Sequence, residues 1–197
     1  MRVLVVGDSN CRGLSSDFLT IVPDAKVRIV SVGRNTTLVR EEYERQLSGL
    51  LMFMPEYVII HSGHNDVSYH WRYNISPTRL EDFYPSLENF ICLVKKNHPA
   101  AQVFVSSLFP RSIGPGFNEE ARLIYNRLCV RCGELTRSSG KKHGYIALLN
   151  NPLWISVWKR SEHSGMFMPD GLHLSDAGSK AVVRHWAIRM SLIKDEI

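Results

Sequence analysis

Short, almost wholly apolar runs alternate along this chain with longer stretches in which apolar residues recur every three or four positions. The runs are Val3–Val6, Val27–Val32, Tyr57–His61, Val103–Ser107 and Tyr145–Leu148. Their continuous apolar character predicts strands covered on both faces. Leu80, Phe83, Leu87, Ile91 and Val94 mark one helical face. Ile124, Leu128, Cys132 and Leu135 mark a second, and Val182, Trp186, Met190 and Ile193 a third. Strands alternating with helices predict a parallel sheet with right-handed crossovers. The expected architecture is a three-layer α/β/α sandwich around a central, mainly parallel, five-stranded sheet, in one domain over residues 1–197.

The pattern fails only between Asn150 and Leu174, which reads as a long loop before the last helix. Loops of that length in compact domains are often functional. This one carries Trp154, Trp158 and Met166-Phe167-Met168, much apolar surface for a loop.

Composition narrows the class. With 197 residues, 44% hydrophobic and 22% charged, the chain is long enough for one substantial core and is not a disordered polymer. No apolar run approaches the roughly 18 residues of a membrane span, and no leader-like segment precedes the first strand, so an intracellular setting is expected. The two sequons, at Asn35 and Asn74, then read as chance matches. Cys11, Cys92, Cys129 and Cys132 make no disulfide framework. Cys129 and Cys132 lack the second pair that a zinc site needs, and buried thiols are the simpler reading. Lys and Arg outnumber acids 24 to 19, a net charge of +5. That excess is compatible with nucleic acid or an anionic membrane surface as partner, but a solvated basic face is the simpler reading.

Chemistry gathers at the predicted strand ends. The first strand runs into Gly7-Asp8-Ser9, the second into Gly33, and the third into Gly63-His64-Asn65-Asp66. Asp170-Gly171-Leu172-His173 precedes the last helix, with Ser175 placed as its cap. Carboxyl ends of parallel strands are where open α/β sheets bind ligands. A hydroxyl at such an end is a nucleophile if a base and oxyanion donors converge on it, and otherwise a helix cap. Taken singly, each block is ordinary turn chemistry.

Taken together and in this order, Gly7-Asp8-Ser9, Gly33, Gly63-His64-Asn65-Asp66 and Asp170-Gly171-Leu172-His173 resemble the SGNH (GDSL-type) hydrolases. The continuation Leu174-Ser175 to Gly178 fits the last block closely. The resemblance implies a flavodoxin-like sheet and a serine esterase. Ser9 would be the nucleophile, His173 the base and Asp170 its orienting carboxylate, with Ser9, Gly33 and Asn65 as oxyanion donors. It implies no cofactor and no metal. Arg34-Asn35-Thr36 after Gly33 departs from the small or acidic neighbour many members have there. His64 fills the variable slot of its block, with no Asp at the spacing that serves His173. No Gly-x-Ser-x-Gly occurs, so the α/β-hydrolase nucleophile elbow is absent.

The chain looks most like the small platelet-activating-factor-acetylhydrolase-like branch, which implies a small-molecule or lipid ester and a short acyl group. More loosely, it is similar to esterase domains in first-frame proteins of LINE-type retrotransposons, where an accessory lipid- or nucleic-acid-binding role is the alternative. Arg111, Trp71, Met166 and Phe167 are candidates for the substrate pocket, with capping a loop the competing role for Arg111 and loop packing for the other three. A metal-dependent phosphoesterase built on His61, His64, Asp66, Asp170 and His173 is the remaining rival.

Overall fold

The computed structural model describes residues 1–33, 35–66, 80–106, 108–109, 144–146 and 164–193. Its strands are β1 (Arg2–Gly7), β2 (Lys26–Ser31), β3 (Tyr57–His61), β4 (Gln102–Ser106) and β5 (Gly144–Ile146). All pair in parallel, in the order β2-β1-β3-β4-β5. Each of the five apolar runs becomes a strand, with bounds moved by a residue or so. Ser107 and residues 147–148 lie outside the described residues.

Burial follows position in that order. Val3, Leu4, Val5 and Val6 of β1, and Val58, Ile59 and Ile60 of β3, are fully buried. β2 stands at the edge and buries only Val30, which is why Lys26 and Arg28 are tolerated in it.

The described helices are α1 (Leu14–Ile21), α2 (Thr36–Arg45), α3 (Leu47–Phe53), α4 (Leu80–Asn97) and α5 (Asp176–Arg189). α4 and α5 match two predicted helical faces; the face over Ile124–Leu135 lies outside the described residues. α4 buries Leu87, Phe90, Ile91 and Val94, and α5 buries Val182, Val183 and Trp186. The sequence pattern does not single out helices α1 to α3, and of them only α2 buries three residues at helical spacing, Thr36, Val39 and Tyr43. α1 buries Leu14 and Phe18, and α3 only Leu50, too few positions to reveal a period.

The helices flank the sheet in two groups. α1 packs against α5, and α2 against α4. In the second group Tyr43 meets Phe90 edge-on at 5.6 Å between ring centres. In the first, Trp186 of α5 lies beside Phe18, His61 and Phe109, and its indole N–H donates to Ser106 Oγ at 3.0 Å. A fully buried Trp needs such a partner for its one polar group. The bond also fixes α5, and the turn before it, against β4.

The chain leaves β1 for β2 on one side and returns to β3 on the other. The winding of the chain therefore reverses between β1 and β3, and a crevice at their carboxyl ends is the expected ligand position.

Candidate active site

β1 ends at Gly7, in register with Ser31 of β2 and His61 of β3. A methyl at Gly7 would overlap the His61 carbonyl oxygen and press on Cys11 Sγ. Only glycine lets the strands stay this close where the chain turns. The turn is a short 3-10 helix, Ser9–Cys11, and Asp8 caps it: the Asp8 carboxylate accepts the Asn10 N–H at 3.1 Å. With Asp8 as cap, Ser9 is spared that duty. Its Oγ lies 3.3 Å from His173 Nε2.

His173 comes from the segment before α5. Phe167 bridges Leu174 in antiparallel fashion, the Met168 N–H donates to the His173 carbonyl at 2.8 Å, and the Gly171 N–H donates to the Met168 carbonyl at 2.9 Å. The Ser175 N–H donates to the Met166 carbonyl at 3.1 Å, and the Ser175 hydroxyl caps α5 through the Gly178 N–H at 3.2 Å. What reads in sequence as the end of a loop is thus a closed turn. For Met166 and Phe167 the structure shows the packing role that competes with a place in the pocket. Phe167 is buried in the core and Met166 is packed against it, so their apolar surface anchors the turn. The other two pocket candidates, Arg111 and Trp71, lie outside the described residues, as do Trp154 and Trp158.

Asp170 holds His173 twice. One carboxylate oxygen accepts the Leu172 and His173 backbone N–H groups at 2.8 and 2.9 Å, and the other lies 2.6 Å from His173 Nδ1. These bonds, the imidazole's first, bring the Asp170 carboxyl down to about 2. Asp170 is therefore an anion across the working range of pH, and Nδ1 is the donor. Nε2 is left facing Ser9 as a proton acceptor.

Two neighbouring strand ends flank Ser9. The Val32 N–H donates to the Gly7 carbonyl, and the Asp8 N–H to the His61 carbonyl, both at 3.1 Å. The Ser31 hydroxyl donates to the Asp8 carbonyl at 2.5 Å. A methyl built on Gly33 would stand 3.8 Å from Ser9 Cβ, so Gly33 lies alongside the hydroxyl-bearing residue. That methyl would touch Ser9 Cβ and, at 3.6 Å, Arg12 Nη2 at ordinary van der Waals distance, without overlap. Asn65, half-buried, follows Gly63 in the first turn after β3.

Asn65 sits between two tied residues. Asp66 Oδ2 accepts both the N–H and the hydroxyl of Thr36 at 3.0 Å, which links this turn to the start of α2 just beyond Gly33. Burial pushes the Asp66 carboxyl upward, against the pull of those two bonds. Asn35, the first sequon residue, caps α2 by accepting the Leu38 N–H at 3.2 Å.

On the other side of Asn65, His64 is buried with its Nδ1 2.9 Å from Asp8 Oδ2. Its Nε2 accepts the Phe109 N–H at 2.8 Å. Nδ1 is the atom that donates to Asp8, and Nε2 also lies 3.1 Å from the Phe109 carbonyl oxygen. Burial alone would raise the Asp8 carboxyl; His64, through charge and hydrogen bond, and His61 bring it down to about 2. Sequence reading treated Asp8 as turn and His64 as filler. Neither tie has a local signal, because each joins residues that meet only through strand order.

Asp8, His61 and His64 place one ligand atom each within 4.8 Å of one another, the one described group with the chemistry to hold a metal ion. Both His64 nitrogens already serve protein partners, which marks the group as a hydrogen-bonded brace. Asp170 and His173, from the phosphoesterase set, stand apart from it at Ser9.

Comparison with known proteins agrees with this fold. An acetylxylan esterase from Geobacillus stearothermophilus, solved as a catalytic mutant, superposes with a TM-score of 0.67 at 13% identity, over 94% of this chain and 92% of its own. A family 3 carbohydrate esterase from Clostridium thermocellum gives 0.67 at 16% identity, over 95% and 93%. A GDSL-like lipase from Bacteroides thetaiotaomicron gives 0.59 at 16%, over 97% and 87%. At such identities the likeness is one of fold. No curated protein matches in sequence. Residues 6–181, however, match the GDSL-like lipase/acylhydrolase family, and the chain belongs to that family of carboxylic ester hydrolases.

Proposed function

We propose that the protein is a serine esterase in which Ser9, His173 and Asp170 form the catalytic triad, acting on esters of short acyl groups. The observation that carries this reading is the line of contacts from Ser9 Oγ to His173 Nε2, 3.3 Å, and from Nδ1 to Asp170 Oδ2, 2.6 Å.

In this mechanism Ser9 Oγ attacks the ester carbonyl as His173 Nε2 takes its proton. Asp170 stabilises the imidazolium and keeps the ring in the tautomer that can accept. The backbone N–H groups of Ser9 and Gly33 and the Asn65 amide meet the oxyanion; removing one donor from such a site costs roughly 100- to 1,000-fold in rate. His173 returns the proton to the leaving alcohol, and water then cleaves the acyl-enzyme by the same steps. Glycine at position 33 leaves the backbone beside Ser9 without a side chain, which suits the approach of a carbonyl oxygen. The acetylxylan esterase fold neighbour favours a small acyl group.

The test is hydrolysis of a p-nitrophenyl ester series, acetate through long chains, by wild type and Ser9→Ala. The expected result is turnover that is greatest at short acyl lengths and falls by at least about 1,000-fold in Ser9→Ala. Equal turnover in the two proteins would remove Ser9 from the mechanism.

A further inference from the structure

We infer that Arg12 makes the site selective for esters that carry a negative charge, a carboxylate or a phosphate, close to the scissile bond. The inference rests on the esterase reading above and specifies its substrate class.

Arg12 stands three residues past Ser9, and its backbone is fixed on both sides. Its N–H donates to the Ser9 carbonyl at 3.2 Å, which closes the Ser9–Cys11 turn. Gly13 follows in the left-handed region, φ 82°, and starts α1. The side chain is exposed, yet it does not point away from the site. The same methyl on Gly33 that would stand 3.8 Å from Ser9 Cβ would stand 3.6 Å from Arg12 Nη2. The face of Gly33 turned toward the nucleophile therefore also meets the guanidinium.

Among the described residues the guanidinium has no anion. The site's carboxylates are committed elsewhere: Asp8 to His64 and the Asn10 N–H, Asp66 to Thr36, and Asp170 to His173. Among the described residues no carboxylate lies within ion-pair distance of Arg12. A planar fork of N–H donors at the mouth of a site matches the two oxygens of a carboxylate or phosphate. An ester bearing one beside its carbonyl would place it against Arg12 while the acyl carbon faces Ser9.

The charge could reside in the acyl half or the alcohol half of the ester, and two matched pairs of substrates separate these cases. p-Nitrophenyl hemisuccinate against p-nitrophenyl butyrate places it in the acyl half. Acetylglycerol phosphate against acetylglycerol places it in the alcohol half. For wild type, kcat/KM should favour the anionic member of one pair. In Arg12→Gln that anionic-to-neutral ratio should fall by about 10- to 100-fold, the range of a hydrogen bond to a charged group. Arg12→Lys, which keeps the charge but not the fork, should lie between them. A wild type that turns over neutral esters with no preference for either anionic partner overturns the inference alone. So does a ratio unchanged by Arg12→Gln, including an equal loss on both members of a pair, which would make the guanidinium an aid to the reaction centre. A folded wild type inert toward all four esters overturns the esterase reading, and this inference with it.

Discussion

Asp8 is a fully buried carboxylate one residue from the proposed nucleophile, and its ionisation ties stability to pH. Its folded-state pKa, about 2, lies below the ordinary 3.8. The unfolded chain therefore takes up this proton first as pH falls. The stabilisation is complete above about pH 4 and is lost as pH drops toward 2, a contribution on the order of 2 kcal/mol. Asp8→Asn, which cannot titrate, should show a shallower decline of stability over that window than wild type. Parallel urea midpoints for the two proteins from pH 5 to pH 3 would contradict the assignment. Ser9, Asp170 and His173 stand out in the sequence only through the order of four blocks, each of which alone is ordinary turn chemistry. The structure brings their side chains together. The ties from Asp8 to His64 and from Thr36 to Asp66 span 56 and 30 positions. No local pattern encodes them; they exist because β1 lies between β2 and β3.

At the scale of elements, the position of His173 depends on how α5 seats against the turn that carries it. Gly178, in the first turn of α5, faces the Met166 carbonyl so closely that a methyl there would overlap it. Gly178→Ala should therefore push the Ser164–Met166 turn away from the helix. A loss of about 1–3 kcal/mol is expected from such overpacking, together with a fall in kcat of tenfold or more as His173 moves off Ser9. Gly165→Ala is the matched control, since a methyl there meets nothing within 4 Å. Equal activity and melting temperature in the two variants would show that the seat of α5 does not set the histidine. Strands and the long amphipathic helices were readable because burial imposes a period on many residues at once. The closed turn at Met166–Ser175 was not, because backbone hydrogen bonds that any residue can make hold it together.

Over the whole molecule, a sheet that winds outward from β1 in both directions brings three sequence-distant strand ends side by side. Ser9 arrives from β1, Gly33 from beyond β2, and Asn65 from beyond β3. The last turn, packed beneath α5, supplies Asp170 and His173. No described helix is long and apolar enough to cross a membrane. The net charge of +5 gives the approach of an anionic ester a modest electrostatic advantage. The central claim is that Ser9 is a nucleophile activated by His173, and covalent trapping tests it most directly. Intact protein would be treated with a fluorophosphonate and the modified residue located by mass spectrometry, with His173→Ala alongside. A single phosphonyl group on Ser9, formed at least about 1,000-fold more slowly in His173→Ala, is the predicted result. An enzyme that hydrolyses esters yet leaves Ser9 unmodified, or carries the label elsewhere, would contradict the account.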